Sequence, residues 1–406
     1  MARLRDNQRY SPSSWMPLRL LNFFVYGTMV IFAAFFQLYL QDIGMDKLEI
    51  GSLMAIGPLI SLLAHPFWRY ISDLRQNPRA ALIAMMLGLL VMGHLVFKAN
   101  TFHTLYLAMI LLYFFQSPLL SQNNGLVLSY TEGNERRFGA FRLWGSLGWS
   151  LVALGAGPII DAVGHNGISL LFSICLMLAI GSALLLPSIR QTSNTPWLKG
   201  VELARTLQYR YFVAFALFGM LVAVPNAINV IFMPLFITDL GGSRLEVGGA
   251  VFLSTAFEIL VFVVLDRYFK RKITFLLGCI TAVSLLFALR WNLMSDATQP
   301  VQIMLIQLLH SVTFGGFFYV GIKLIALLLP RPLRSAGHAV YTLALSGLAA
   351  LIAGFFGGWM YQNFGGGVMY RIGMALSFFG ALGYAAMWYR IHKNGYSPVM
   401  GRNEHR

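Results

Sequence analysis

Long, uninterrupted apolar runs recur along the whole chain and constrain its fold more than any other feature. Each is long enough to cross a membrane as a helix, which takes about 20 residues. The runs lie near 17–40, 49–71, 79–98, 103–130, 139–163, 167–188, 211–238, 246–266, 273–294, 300–329, 335–361 and 366–391. Strands of a membrane barrel would alternate in polarity over about 10 residues, and these runs are continuous. The sequence therefore predicts an all-α membrane protein with twelve transmembrane helices.

The composition supports the same class. Of the 406 residues, 57% are hydrophobic and only 11% are charged, which is too few to cover a soluble globule of this size. The net charge of +15 does not indicate nucleic-acid binding, because the basic residues are dispersed between the apolar runs. Cys175 and Cys279 lie in separate apolar runs without the spacing of a metal site. We therefore expect no disulfide, no metal and no cofactor.

Basic residues concentrate in every second turn between the apolar runs. These turns contain Arg69, Arg75 and Arg79; Arg136 and Arg137; Arg190, Lys199, Arg205 and Arg210; Arg267, Lys270, Arg271 and Lys272; and Arg331 and Arg334. Short loops rich in Lys and Arg stay on the cytoplasmic side of a membrane. The pattern predicts a multi-pass protein of the cell (inner) membrane with both termini cytoplasmic.

One polar interval is longer than the others and divides the runs six and six. It covers about 189–210 and contains RQTSNTPWLKG. The predicted organisation is an N-terminal six-helix bundle at 1–188, a cytoplasmic linker at 189–210 and a C-terminal six-helix bundle at 211–406. Six helices, a basic middle loop and six more helices resemble the layout of major facilitator transporters. That resemblance implies two bundles that move about a central solute site.

Charged residues also repeat at equivalent places in the two halves. Asp73 and Arg75 follow the second apolar run, and Asp266 and Arg267 follow the eighth. The first cluster resembles the superfamily motif G-x-x-x-D-R-x-G-R-K, although Arg69 stands where its first glycine is expected. The resemblance implies a gate that locks the cytoplasmic face. The alternative is a pair of solvated turns.

The stretch FGAFRLWGSLGW, from Phe138 to Trp149, places Arg142 at the start of an apolar helix. A charge within hydrocarbon costs roughly 2.5 to 3.5 kcal/mol even on the insertion scale, so it normally faces a water-filled cavity. Glycines along the stretch favour close packing on a neighbouring helix and hence an inward-facing Arg142. The alternative is that Arg142 lies near the helix end and reaches lipid phosphates.

The same stretch resembles FG-x-x-R-x-x-G-x-x-GW, which begins the fifth helix of the lactose permease family. In that family the Arg belongs to the sugar site and the final Trp stacks on the sugar ring; Arg142 and Trp149 match them. The family's acidic partner of this Arg falls on Asn124. The resemblance thus implies a substrate-binding set of Asn124, Arg142 and Trp149, with an amide where the family has a carboxylate.

Asn124 belongs to a polar patch in the fourth apolar run. The patch comprises Ser117, Ser121, Gln122, Asn123 and Asn124, and Pro118 adjoins it. Amide and hydroxyl side chains at membrane depth must hydrogen-bond to something other than lipid. A substrate-facing wall and a set of hydrogen bonds between helices are the two interpretations.

Polar residues of the second half indicate coupling to protons. They are Asn226 and Asn229 on one face of the seventh helix, Glu258 in the eighth, Arg290 in the ninth, and Gln307, His310 and Lys323 in the tenth. Burial raises the pKa of an acid such as Glu258 and a nearby cation lowers it, so its protonation can change as a cavity opens to one side and then the other. The alternative is a permanent ion pair between Glu258 and Arg290.

Here too the chain is similar to the lactose permease family. Arg290 and His310 are spaced as its ninth-helix Arg and tenth-helix His are, and Glu258 falls within one residue of its eighth-helix Glu. The family's proton carrier position is Thr313 in this chain. The resemblance implies substrate contacts at Glu258 and His310, and it leaves one of these two to hold the proton. The polar Asn226 and Asn229 complete the expected substrate-binding set of this half. The expected proton-coupling residues are Glu258, Arg290 and His310.

These observations predict a secondary active transporter. The stretches ALRWNL and QLLHSVTFG also resemble phenylpropionate permeases and nucleoside–proton symporters, so the expected solute is a sugar, a nucleoside or an aromatic acid. Proton symport by alternating access is the expected mechanism. The expected partners are this solute, the proton and the lipid bilayer, with the chain acting as a monomer and binding no nucleic acid. No P-loop, zincin or GxSxG motif suggests an enzyme.

Proton-driven efflux of amphiphilic compounds or drugs is the alternative function. The stretch GAGPIID, Gly155 to Asp161, partly resembles the fifth-helix motif G-x-x-x-G-P-x-x-G-G of facilitator antiporters. Asp161 and Ala162 occupy the motif's final glycine positions, which weakens the match.

Overall fold

The computed structural model describes residues 15–99, 101–131, 135–164, 166–189, 200–256 and 272–396. These residues form helices and turns, and no strand occurs among them. The predicted all-α class is therefore confirmed. In the first half the helices are α1 Trp15–Asp42, α2 Lys47–Arg75, α3 Pro78–Lys98, α4 Phe102–Gln116, α5 Leu119–Tyr130, α6 Glu135–Val163 and α7 Gly167–Leu184.

The second half is also helical throughout its described residues. Its helices are α8 Gly200–Thr206, α9 Arg210–Asp239, α10 Arg244–Ala256, α11 Ile273–Ser295, α12 Pro300–Ile306, α13 Leu308–Leu328, α14 Arg334–Thr342, α15 Ala349–Ile352 and α16 Gly358–Asn394. A 3₁₀ turn at Arg331–Leu333 precedes α14, and π-helical segments at Leu343–Leu348 and Ala353–Gly357 flank α15.

Ten helical stretches of the described chain are long and apolar enough to cross a membrane. The last of them, Arg331–Asn394, is kinked at Gly365, which adopts φ +79 and lies between the predicted eleventh and twelfth spans. The predicted eighth span begins as α10, and its continuation after Ala256 lies outside the described residues. The count of twelve stays a prediction.

Two compact units divide the chain. Unit 1 is Met1–Asn194 with Ser243–Phe252, and unit 2 is Thr195–Gly242 with Leu253–Arg406. Residues 190–199 of the predicted linker lie outside the described part of the chain, and its second half contains α8. The predicted boundaries at 189 and 210, and the orientation of the termini, stay predictions.

Helix α1 is the central element of unit 1, because α6 and α7 both pack along it. Its packing on α6 is close enough to require glycine: a Cβ at Gly148 would overlap the carbonyl oxygen of Phe23. Close backbone approach is the usual way in which membrane helices gain van der Waals contact, since lipid provides no hydrophobic drive for helix association. The tight α1–α6 contact fixes the faces that carry the polar residues described below.

The helices differ from the predicted runs at three places. Helix α2 continues to Arg75, so Asp73 and Arg75 lie in its last turn and not in a loop after it. The fourth run is interrupted between α4 and α5 at Pro118, which lacks a backbone N–H for the helical ladder. The tenth run is interrupted at Gln307, between α12 and α13.

Candidate functional site

Arg290 is the buried charge around which the polar side chains of unit 2 gather. It lies on α11 and is 0% exposed. Its guanidinium donates to Nδ1 of His310 at 3.0 Å, to Oε1 of Gln307 at 2.5 Å and to the hydroxyl of Thr313 at 3.5 Å. The described acceptors of this cation are therefore all uncharged.

A chain of amide and hydroxyl groups continues from Arg290 across the unit. Oε1 of Gln307 also accepts from Nδ2 of Asn229 on α9 at 3.5 Å. Oδ1 of Asn229 accepts from the hydroxyl of Tyr370 on α16 at 3.1 Å. The helix break at Gln307 places this side chain between α9 and α11, so its single oxygen serves both donors. These hydrogen bonds join three long helices, α9, α11 and α16.

Aromatic rings close the cluster on its other sides. The guanidinium carbon of Arg290 lies 4.5 Å from the ring centroid of Trp291, a favourable cation–π distance. Trp291 in turn stacks on Tyr370 with ring centroids 6.0 Å apart, and His310 stacks on Phe314 at 5.1 Å. Trp291 and Tyr370 are almost completely buried, so the cation sits in surroundings that exclude water.

The cluster carries a positive charge that its described neighbours do not neutralise. Over the described ranges no Asp or Glu pairs with Arg290, and its Nε atom is buried without a hydrogen-bond partner. A buried ion without a counter-charge is strongly unfavourable, whereas hydrogen bonds and a paired acid offset much of that penalty. Glu258, the predicted partner, lies within 257–271, outside the described residues.

The contact with Arg290 also fixes the protonation state of His310. An arginine side chain has donors and no acceptor, so Nδ1 of His310 must be the acceptor in this hydrogen bond. The ring proton therefore lies on Nε2, and a doubly protonated imidazolium cannot hold the bond. In this arrangement His310 is neutral.

Asn226, on α9 like Asn229 of this network, has an acceptor atom that no described group uses. It lies one turn before Asn229, is half-buried, and its Oδ1 is buried without a partner among the described residues. A buried amide oxygen that lacks a donor is unfavourable, which suits a group that a polar solute completes.

In unit 1, Asn123 forms a buried hydrogen bond between helices. Its Nδ2 donates to Oδ1 of Asn22 at 2.9 Å, and Nδ2 of Asn22 donates to the carbonyl of Leu18 at 2.9 Å. Both asparagines are at most 1% exposed. For Asn123 the structure thus shows the interhelical bonding that was one of the two interpretations of the polar patch.

Asn124 faces a different partner, Tyr26 of α1. The Tyr26 hydroxyl donates to Oδ1 of Asn124 at 3.3 Å, and the Tyr26 ring lies against α6 at Gly145, where a Cβ would be 2.8 Å from it. Gly145 is three residues after Arg142 and four before Trp149, so these three share one face of α6. Asn124 and Tyr26 therefore lie by the α6 face that carries Arg142 and Trp149.

The structure does not join Arg142 to Asn124 directly. Arg142 is exposed and Trp149 half-buried, and in the described part of the chain no hydrogen bond or ion pair reaches the Arg142 side chain. A guanidinium with its donors unused is free to bind a ligand or a lipid phosphate. The substrate-binding role of the three predicted residues stays a prediction.

Several residues that line a small recess of about 310 Å³ are close to Arg142 in the sequence. Trp15, Arg19, Ala140, Phe141 and Trp144 line it. The Arg19 guanidinium carbon lies 5.8 Å from the Trp144 ring centroid, and Trp15 stacks on Phe141 at 5.2 Å. Arg19 of α1 is therefore an exposed arginine beside Trp144 of α6, the helix that carries Arg142, and it serves below as a control for Arg142.

Of the two charge clusters of the predicted cytoplasmic gate, only the first, with Asp73 and Arg75, lies among the described residues. Oδ2 of Asp73 lies 3.9 Å from Nε of Arg69, one turn earlier on α2, and both side chains are about one third exposed, at 32% and 34%. Arg75 is exposed. Asp266 and Arg267 lie outside the described residues. The gate stays a prediction, and among the described residues Asp73 pairs with Arg69 of its own helix.

If Asp73 holds the cytoplasmic face shut, Asp73→Asn will shift the protein towards the inward-open state. An exposed ion pair contributes about 0.2 to 1 kcal/mol, so the shift in population is expected to be up to about fivefold. Labelling rates of single cysteines placed on the two faces measure it. The matched control is Asp296→Asn, which removes another exposed Arg–Asp pair, Arg371–Asp296. Equal labelling in Asp73→Asn and wild type would show that Asp73 has no gating role.

Sequence reasoning missed four residues of these clusters: Asn22, Tyr26, Trp291 and Tyr370. Asn22 was detectable, because an amide within the apolar run of α1 needs a partner, and Tyr26 lies one turn later on the same face. Trp291 adjoins Arg290 in the stretch ALRWNL. For Tyr370 the sequence offers no signal, since its partner Asn229 is 141 residues away.

The sequence profile of the MFS_1 like family matches residues 15–372, most of the chain. The chain belongs to the MFS_1 like family. This membership confirms the predicted resemblance to major facilitator transporters and, with the helices described above, the predicted all-α major facilitator fold. The protein is accordingly an integral membrane transporter of small solutes.

Individual relatives and solved structures are similar to this chain along most of its length. Maltose permease of Geobacillus stearothermophilus is 24% identical over 358 residues, 86% of this chain and 88% of that protein. The probable 3-phenylpropionic acid transporter of Escherichia coli (strain K12) is 25% identical over 363 residues, 86% and 90% of the two chains. The crystal structure of nucleoside transporter NupG superposes with a TM-score of 0.79 at 15% identity, covering 92% of this chain and 99% of that one. That structural likeness shows the fold alone.

Proposed function

We propose that this family member is a proton-coupled symporter for a small polar organic solute, working by alternating access. The solute class is a sugar, a nucleoside or an aromatic acid, as the names of the related permeases suggest. Unit 1 contributes Asn124, Arg142 and Trp149 to solute recognition. Unit 2 contributes Asn226 and Asn229 in addition to the charged cluster.

The observation that carries the proposal is the buried Arg290 with only uncharged described acceptors. A cation held this way needs a counter-charge, and an acid that supplies it is ionised when paired and protonated when the pair is broken. Switching between these two arrangements takes up and releases one proton. A buried pair that can exchange partners is therefore a suitable coupling element for a symporter.

Glu258 is the acid that best fits this role. It lies in the apolar stretch STAFEILVFVV of the predicted eighth span. His310 is less suited in the described arrangement, because protonating Nδ1 would break its hydrogen bond with Arg290. We therefore assign the proton to Glu258, with Arg290 setting its ionisation and His310 holding Arg290 in place.

Solute counterflow in proteoliposomes tests the transport function. Vesicles loaded with unlabelled maltose, uridine or 3-phenylpropionate are diluted into a trace of the same labelled compound. We expect transient uptake of at least one of the three, and none in protein-free vesicles. Absence of counterflow for all three, together with proton-driven extrusion of an amphiphilic dye, would contradict symport and support the efflux alternative.

A further inference from the structure

Arg244, at the start of α10, joins two carboxylates from different helices. Its Nη2 lies 2.5 Å from Oδ2 of Asp42, the last residue of α1. Its Nη1 lies 2.7 Å from Oδ1 of Asp161, close to the end of α6. The side chains of Arg244, Asp42 and Asp161 are 27%, 30% and 41% exposed, so water reaches all three.

Local physical chemistry does not favour an arginine at this place. The backbone N–H groups at a helix N-terminus carry partial positive charge, which repels a cation in the first turn. The turn is otherwise well capped, since Ser243 N donates to Oε2 of Glu246 at 2.8 Å and Glu246 N donates to Oγ of Ser243 at 3.3 Å. Arg244 is therefore stabilised chiefly by Asp42 and Asp161, which belong to other helices.

Below the ion pairs, α10 and α6 touch through their backbones. A Cβ at Gly157 would lie 2.5 Å from the carbonyl group of Arg244, and a Cβ at Gly248 would overlap the carbonyl oxygen of Ala153. Gly157 and Ala153 are one turn apart on α6, and Arg244 and Gly248 are one turn apart on α10. The two helices thus meet over two turns along a smooth seam of small residues.

The segment that makes these contacts is inserted into unit 1 from the other half of the chain. Ser243–Phe252 belongs to unit 1, whereas Gly242 before it and Leu253 after it belong to unit 2. Gly241, with φ +84, provides the turn that leads into the segment. The end of α1, the end of α6 and the start of α10 meet at this cluster of charges.

We infer that Arg244, Asp42 and Asp161 form an ionic latch that holds Ser243–Phe252 on unit 1 and opens once in each transport cycle. The inference rests on the alternating access of the proposed function. Ion pairs that water already reaches lose little when they separate. At Gly157 and Gly248 the two helices meet backbone to backbone, so these two contacts part and re-form without moving a bulky side chain. The latch thereby gives a role to Gly157 and Asp161 of the stretch GAGPIID.

Cysteine labelling in lipid nanodiscs tests the latch without any solute. The reporter is Ala153→Cys, a buried position on the seam, in a chain whose native cysteines carry Cys175→Ser and Cys279→Ser. We expect Arg244→Gln to raise the rate of reaction with N-ethylmaleimide several-fold. The matched control Arg371→Gln removes an ion pair with Asp296 of 3.3 Å and should leave the rate unchanged. An unchanged rate in Arg244→Gln, or an equal increase in Arg371→Gln, would overturn the latch.

If Arg244→Gln does not give monodisperse protein, the double variant Asp42→Asn/Asp161→Asn is labelled in its place. A several-fold higher labelling rate is again expected, and an unchanged rate would again overturn the latch. A second measurement joins Asp42→Cys to Arg244→Cys with a short bifunctional thiol reagent. Counterflow should stop in the cross-linked protein and recover when the cross-link is cleaved. Continued counterflow in fully cross-linked protein would also overturn the latch. Loss of counterflow in the wild type would count against the proposed function, while the labelling result would still decide the latch.

Discussion

Glu258→Gln protein in proteoliposomes is expected to exchange solute but not to concentrate it in response to a pH gradient. With one proton per solute, a gradient of one pH unit supports about tenfold accumulation, because each tenfold ratio corresponds to about 1.4 kcal/mol. Glutamine keeps the size and hydrogen-bonding capacity of a protonated glutamate and cannot release a proton. The accumulation ratio should therefore fall from about ten to about one. Uptake of labelled solute with and without the gradient measures it.

The control for this variant is Glu202→Gln. Glu202 lies in the short helix Gly200–Thr206, outside the long apolar helices, and receives the same chemical change. It should accumulate solute as the wild type does. Undiminished accumulation by Glu258→Gln would show that another group couples the proton. If exchange disappears as well, Glu258 binds the solute directly and His310 becomes the next candidate for the proton.

Arg142→Lys is expected to weaken solute binding strongly while leaving folding intact. A guanidinium offers two parallel donors to one ligand group, and an ammonium cannot reproduce that geometry. Loss of one charge-assisted hydrogen bond costs about 1.5 to 3 kcal/mol. That corresponds to a ten- to hundredfold higher Kd. Because Arg142 is exposed and no described side chain pairs with it, its replacement should not unfold the protein.

Ligand-induced thermal stabilisation measures this affinity, since a ligand that binds the folded state raises Tm by mass action. The control is Arg19→Lys, at the exposed arginine that lies 5.8 Å from the Trp144 ring. It should retain wild-type affinity. If Arg142→Lys also retains wild-type affinity, Arg142 reaches lipid phosphates and has no part in solute binding.

The long helices were predictable because the membrane imposes one length and one polarity on every span. The predicted run 211–238 corresponds to the helix Arg210–Asp239, and the run 273–294 corresponds to Ile273–Ser295. No limit of these two runs differs from the observed helix end by more than one residue. Helix ends beyond the hydrocarbon were less predictable. Asp73 and Arg75, for instance, extend α2 because a turn of only two residues separates it from α3.

The candidate site was predictable in part, for the same physical reason. A charge such as Arg290 or an amide such as Asn229 stands out in an apolar helix, and the sequence therefore identified them. Their partners depend on how distant helices are rotated about their axes. The Tyr26–Asn124 bond spans 98 residues and the Tyr370–Asn229 bond 141, and no local pattern specifies either. No local pattern specifies the ion pairs of Arg244 with Asp42 and Asp161 either, because these partners are 202 and 83 residues away in sequence.

The pH inside proteoliposomes gives the most direct test of proton symport. Vesicles containing wild-type protein and a trapped pH-sensitive dye receive, without any initial pH gradient, a large outside excess of the solute identified by counterflow. Symport predicts that the lumen acidifies as solute enters, and that Glu258→Gln vesicles take up solute without acidifying. Solute entry into wild-type vesicles at constant lumen pH would contradict proton coupling.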